Sequence, residues 1–124
     1  MKAILISVKS QYVNHIIDGS KKYEYRKILG KKKCDTLLIY SCSPVKKIVA
    51  SAKIETTISD SPISLWERTK EYSGICYDDY MKYFYNKEKA HAYKLSNVHI
   101  FDTPHELKDY GIKTAPQSFM YVNF

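Results

Sequence analysis

The stretch Asp18-Gly19-Ser20-Lys21-Lys22-Tyr23-Glu24-Tyr25-Arg26-Lys27 sets an ammonium, a carboxylate and a guanidinium close together, directly after a glycine turn. On a strand, Glu24 and Arg26 are two apart and share a face, with about 7 Å between their positions, near enough for their charges to interact. Tyr23 and Tyr25 then point the other way. Such a trio can hold a phosphate through Lys21 and Arg26, with Glu24 orienting them or accepting hydrogen bonds from a base. The bland alternative is an ordinary exposed strand with its charges in water.

Other chemistry finds less support. His15, His91, His99 and His105 are scattered, and no Gly-rich phosphate loop, nucleophile elbow or paired metal carboxylates occur. Cys34, Cys42 and Cys76 share no metal-ligand spacing. They read as reduced thiols of a cytosolic protein, and neither a metal nor a cofactor is expected. Cys42, beside the Ser43-Pro44 turn, reads as a packed thiol at a strand end. No apolar run approaches the roughly 18–20 residues of a membrane span, and Lys9 interrupts the apolar start, which reads as a strand and not a leader.

The charge is segregated. Residues 1–50 carry 11 Lys/Arg and 3 Asp/Glu, whereas residues 51–124 carry 9 and 10, so the whole net charge of +7 arises in the first two-fifths. Residues 21–33 alone hold seven positive charges against Glu24. A one-sided basic surface attracts polyanions and speeds their capture; a solvated face that keeps the chain soluble is the competing explanation. Twelve tyrosines supply flat rings with polar tips, suited to half-wet surfaces and stacking.

These groups need a scaffold. At 124 residues the chain makes one domain spanning 1–124, with about two-thirds of its unfolded surface buried. Residues 3–8 read as a buried strand. Ser10 can cap a helix to Asp18, with Val13, Ile16 and Ile17 on one face and Gly19 as its stop. Residues 22–27 alternate as a strand, 28–33 form a basic loop, and 36–42 are apolar on both faces, as in a central strand. Ser43-Pro44 turns the chain into a strand over 48–57. Ser61-Pro62 starts a helix, followed by a second over 77–85. Residues 90–95 and 98–101 read as one long or kinked strand. Thr103-Pro104-His105-Glu106 reads as a capping box for a short helix stopped by Gly111, and 118–124 as a last strand. Five to six strands with three to four peripheral helices suit an α+β fold built on a small mixed barrel.

Gly19, Lys21, Glu24 and Arg26 form the pattern Gly-x-Lys-x-x-Glu-x-Arg, which resembles the motif of ASCH domains, a branch of the PUA-like superfamily. The resemblance extends to Ile4-Leu5-Ile6-Ser7-Val8-Lys9 with Tyr12, Ser43-Pro44-Val45, Leu65-Trp66-Glu67, residues 70–75 and Pro116-Gln117-Ser118-Phe119. It implies a PUA-like β-barrel whose cleft is lined by Lys21, Glu24 and Arg26, with Lys9, Ser43, Gln117 and Ser118 at its rim. Superfamily relatives bind RNA, so RNA or a nucleotide-like ligand is the expected partner. Trp66 is a candidate stacking platform, since a base on an aromatic ring is worth about 1–3 kcal/mol; its spacing with Leu65 and Thr69 fits packing better.

Some small bacterial ASCH proteins remove the acyl group from acetylated cytidine, which makes an amidohydrolase the second reading, with Lys21, Glu24 and Glu71 (or Glu67) as its groups. Their motif has threonine where this chain has Glu24, and a carboxylate does not replace a hydroxyl nucleophile. Coactivator modules of the family suggest a third reading, a protein-interaction adaptor marked by an exposed apolar patch.

Overall fold

The computed structural model describes residues 2–123. Strand β1 (Lys2–Val8) leads into helix α1 (Ser10–Asp18), then β2 (Tyr23–Arg26), β3 (Thr36–Ser41) and β4 (Lys47–Asp60). Helix α2 (Pro62–Thr69), a 3-10 turn (Lys70–Tyr72) and α3 (Tyr77–Tyr83) follow. Strand β5 (Ala90–His105), a second 3-10 turn (Leu107–Tyr110) and β6 (Phe119–Asn123) complete the fold.

All six strands join one mixed sheet in the order β2-β5-β4-β3-β1-β6. β1 and β3 run parallel; the other neighbours are antiparallel. The β1–β6 ladder sets Lys2 opposite Asn123. Register shifts along β4 and β5 interrupt their long ladder, and such irregularities bend and twist a strand pair. The expected α+β, PUA-like architecture is the one found, with a barrel-like sheet that its ladders do not close. Among the described residues the edge strands β2 and β6 do not pair; instead the Arg26 guanidinium on β2 donates to the Ser7 carbonyl on β1 at 2.8 Å.

Burial explains the sequence pattern. Ile4, Ile6 and Val8 of β1 join Leu37, Ile39, Ala50, Ala52, Tyr93 and Leu95, with Val13 and Ile16 of α1, in the interior cluster. Ala3 and Leu5 face the other way, into a cluster with Leu38, Tyr40, Ile48 and Val122 that Leu107, Tyr110 and Ile112 cover. Both faces of β1 are therefore dry, which is why it reads as a continuous apolar run. A third cluster packs Tyr25, Ala90 and Ala92 beneath Leu65, Tyr80 and Phe84 of the α2–α3 segment. Tyr23 and Tyr25 turn toward these helices, and the Glu24–Arg26 face turns inward.

Three local expectations need correction. Ser10 does not cap α1: Lys9 holds the cap position, and the Ser10 hydroxyl donates to the Cys42 carbonyl at 3.0 Å, tying the helix start to the end of β3. The capping box lies later than expected, between Glu106 and Asp109, because Thr103–His105 extend β5, where His105 pairs with Ile48. The second helix ends at Tyr83, not at 85. By contrast, Ser61 does cap α2, accepting from the Ser64 amide, and Gly19 ends α1 at φ 88°. The final strand's expected last residue, Phe124, lies outside the described residues.

Candidate functional site

Lys21 follows the left-handed turn at Gly19, its amide donating to the His15 carbonyl at 2.9 Å. It does not project into water. Only 3% of the residue is exposed, and its Nζ donates to the Ser73 carbonyl at 2.7 Å. The same Nζ stands 4.8 Å from the centre of the Tyr25 ring, 5.6 Å from that of Tyr12, and 4.0 Å from Glu24 Oε1. Burial lowers its pKa to about 8; the Glu24 carboxylate opposes that shift and the Arg26 guanidinium adds to it.

Glu24 and Arg26, two apart on β2, form a tight pair. Arg26 donates from Nε (3.0 Å) and Nη2 (2.6 Å) to the same oxygen, Oε2, leaving Oε1 on the Lys21 side. Both residues are buried. Burial disfavours the guanidinium charge, but Glu24 overrides it and raises the Arg26 pKa overall. Behind them the Tyr25 hydroxyl meets Thr69 Oγ1 at 2.6 Å, and Thr69 donates onward to the Leu65 carbonyl. Burial pushes the Tyr25 phenol up to about 12, so it stays a neutral donor. β2 is thereby fixed from both sides, and the chemical groups need not be ordered when a ligand arrives.

The trio opens into a cavity of about 480 Å³, walled by Ser7, Val8, Lys9, Gln11 and Tyr12 on one side and Ile75, Asp79, Lys82 and Tyr83 on the other. Its charged lining is Lys9, Lys21, Arg26 and Lys82 against Glu24 and Asp79. Tyr12 and Tyr83 supply aromatic edges, and burial raises both phenol pKa values. Ammonium and guanidinium donors beside a carboxylate acceptor and aromatic rings form a surface able to hold a planar polar group and an anion together. Among the described residues no group of three or more His, Cys, Asp and Glu is gathered to hold a metal ion.

The profile of the ASCH domain matches residues 6–99. The chain belongs to the ASCH domain family. It is similar over 98% of its length, at 26% identity, to parts of two Ureaplasma parvum proteins: ATP synthase subunit alpha and large ribosomal subunit protein uL22. The matched stretch is 15% of the first and 39% of the second. It is also similar, at 27% identity over 95 residues, to an ASCH domain-containing ribonuclease from Zymomonas mobilis, with 76% of this chain and 64% of that protein covered. This ASCH domain thus spans less than two-thirds of each of these relatives. The crystal structure of ASCH from Zymomonas mobilis superposes with a TM-score of 0.89 over 98% of this chain and 87% of that one, at 24% identity, a likeness in fold.

Of the residues singled out from sequence, Lys9, Lys21, Glu24 and Arg26 line the cavity of this ASCH domain. Ser43, Gln117 and Ser118 are exposed and lie outside its wall. Trp66 packs edge-on against Tyr77 and tilted on Tyr80, in the cluster beneath α2 and α3. Glu71 is exposed on the first 3-10 turn, and Glu67 pairs with Lys70 at 2.9 Å; neither lines the cavity. Sequence reasoning missed Tyr12, Ile75, Asp79, Lys82 and Tyr83 as wall residues. Tyr12 comes from α1, and Ile75 and the α3 residues reach the trio only through tertiary packing, which no local spacing signals.

No helix among the described residues is long and apolar enough to cross a membrane.

Proposed function

We propose that this ASCH domain binds RNA, drawing one nucleotide of a single strand into the cavity around Lys21, Glu24 and Arg26. The observation that carries this reading is the convergence of those three heads inside a walled cavity instead of on an open strand. Lys21 and Arg26 supply charge-assisted donors to a phosphate, Glu24 Oε1 accepts from a base, and Tyr12 and Tyr83 offer ring surfaces. The segregated positive charge of residues 1–50 supports capture of a polyanion, and the name of the Zymomonas mobilis ribonuclease supports RNA as its class. The expected compartment is the cytoplasm, in keeping with three free cysteines.

Fluorescence anisotropy with short single-stranded RNAs tests this. Wild type binds with an affinity that falls steeply with salt. Lys21→Ala weakens binding about ten-fold, as expected for losing a charged hydrogen bond. Equal affinities for Lys21→Ala and wild type would reject the cavity as the site.

A second reading, hydrolysis, is favoured by one observation: the buried Lys21 amine titrates near 8, in the range where an amine can take up or release a proton at neutral pH. End-labelled RNA and acylated cytidine, each incubated with wild type and Lys21→Ala, separate strand cleavage from amide hydrolysis. Absence of turnover by wild type leaves binding alone.

A further inference from the structure

We propose that Gly74, with the carbonyl of Ser73, is the positioning element of the cavity, setting the place of Lys21 without itself touching a ligand. The inference builds on the reading above only for its consequence in RNA binding; the geometry stands apart from it.

Lys21 and Ser73 form an isolated antiparallel bridge, and the Lys22 amide donates to the Tyr72 carbonyl at 2.9 Å. The end of the 3-10 turn and the residue after it are therefore pinned beside the approach to β2 by a single bridge. Two successive residues then divide the work on one side chain. Ser73 takes the ammonium on its carbonyl at 2.7 Å, while Gly74 lies bare against the stem. A Cβ at position 74 would stand 2.3 Å from Lys21 Cβ, 2.6 Å from Cγ and 2.8 Å from Cδ. The contact begins at Cβ, which no lysine rotamer can move. Gly74 also has φ +62°, the left-handed region in which side-chain-bearing residues are strained. Ser73 is buried, and its hydroxyl donates to the Ile75 carbonyl at 3.1 Å, so the carbonyl that holds the ammonium is itself held.

A side chain at 74 must push either this segment or the start of β2, and both movements part the ammonium from Ser73. The charged and titratable groups around it are Glu24, Arg26 and Tyr25 on β2, Lys9 and Tyr12 at the α1 end, and Asp79, Lys82 and Tyr83 on α3. Its titration depends on its depth among them, so displacement is readable as a change in that titration. Gly111 supplies the control: it has φ +72° and nothing within 4 Å of an added Cβ, so Gly111→Ala carries the backbone strain without the collision.

The experiment is pH-dependent acylation of the intact protein by acetic anhydride, followed at the Lys21 peptide by mass spectrometry. Wild type and Gly111→Ala give a Lys21 midpoint near 8. Gly74→Ala moves the midpoint upward by about one unit or more, toward an ordinary lysine. A folded Gly74→Ala protein whose Lys21 titrates with wild type overturns the proposal. If Gly74→Ala does not fold, Lys21→Gly/Gly74→Ala decides: removing the stem makes room, so the double variant folds and unfolds below Lys21→Gly alone by no more than Gly111→Ala unfolds below wild type, the share due to backbone strain. A double variant that also fails to fold overturns the proposal. Neither readout involves RNA, so failure of wild type to bind RNA would sink the functional reading and leave this one intact. If both hold, Gly74→Ala lowers RNA affinity toward that of Lys21→Ala.

Discussion

Two groups of positive charge lie near each other in the chain and have opposite circumstances. Lys21 and Arg26 are buried, with Ser73, Glu24 and Ser7 as fixed partners. Lys31, Lys32 and Lys33 are exposed on the loop after β2, which is hooked to the interior by backbone amides: Gly30 donates to the Tyr93 hydroxyl and Lys32 to that of Tyr121. Inside, each charge costs desolvation and is tolerated only because another group answers it. Outside, water answers it, and the charge acts at a distance on whatever approaches. The same residue types are therefore locked into a polar cluster in one place and left as a diffuse field in the other, and formal charge does not tell them apart.

The sharpest way to break this contrast is Glu24→Gln. It removes the answering charge from beneath both Lys21 and Arg26 and also weakens the latch from β2 to β1. Unfolding in denaturant should show a loss of about 3–5 kcal/mol, the cost of stranding buried charge. A loss below about 1 kcal/mol would place Glu24 with the surface pairs.

Titration gives a smaller effect with a definite sign. Lys21 has a folded pKa of about 8 against the ordinary 10.5. Between those values the unfolded chain binds more protons than the folded one, so stability rises with pH across that window. Below pH 8 the site carries the full cost, at most about 3 kcal/mol. Lys21→Met has no such dependence, so the stability of wild type relative to it should rise as pH goes from 7 toward 10. The buried tyrosines, whose pKa values burial raises in the folded state, contribute alike in both proteins and cancel from the difference. A constant difference across that range would mean that Lys21 is solvated.

The loop should respond least. Replacing Lys31, Lys32 and Lys33 by alanine should change stability by no more than about 0.5 kcal/mol. If the domain binds RNA as proposed, its mark is instead a shallower dependence of that affinity on salt, by about 0.7 in logarithmic slope for each phosphate no longer neutralised. An unchanged slope would remove the loop from the path of the ligand.

Much of this was legible because the signals are local. The alternation Tyr23-Glu24-Tyr25-Arg26 encodes two different faces, and the apolar runs in β1 and β3 encode strands covered on both sides. The positions missed share one physical cause. Lys21 meets Ser73 across 52 residues of chain, and Gly74 resembles any helix-ending glycine until the stem of Lys21 is laid against it. Ser10 has the composition of a helix cap, but tertiary packing gave its hydroxyl a better acceptor in the Cys42 carbonyl. Thr103-Pro104 looked like a helix start because a capping pattern is readable locally, whereas extension of β5 opposite Ile48 is decided by pairing. Trp66 is not among the positions missed: its helical spacing favours packing, and it lies against Tyr77 and Tyr80.

The pairing of Lys2 with Asn123 across the β1–β6 ladder has a consequence for how the terminal strands are placed. Paired residues on antiparallel strands are about 5 Å apart, so the start of the first strand and the end of the last lie side by side. The fold thus has a single doorway for both of its terminal strands, away from the walls of the Lys21 cavity.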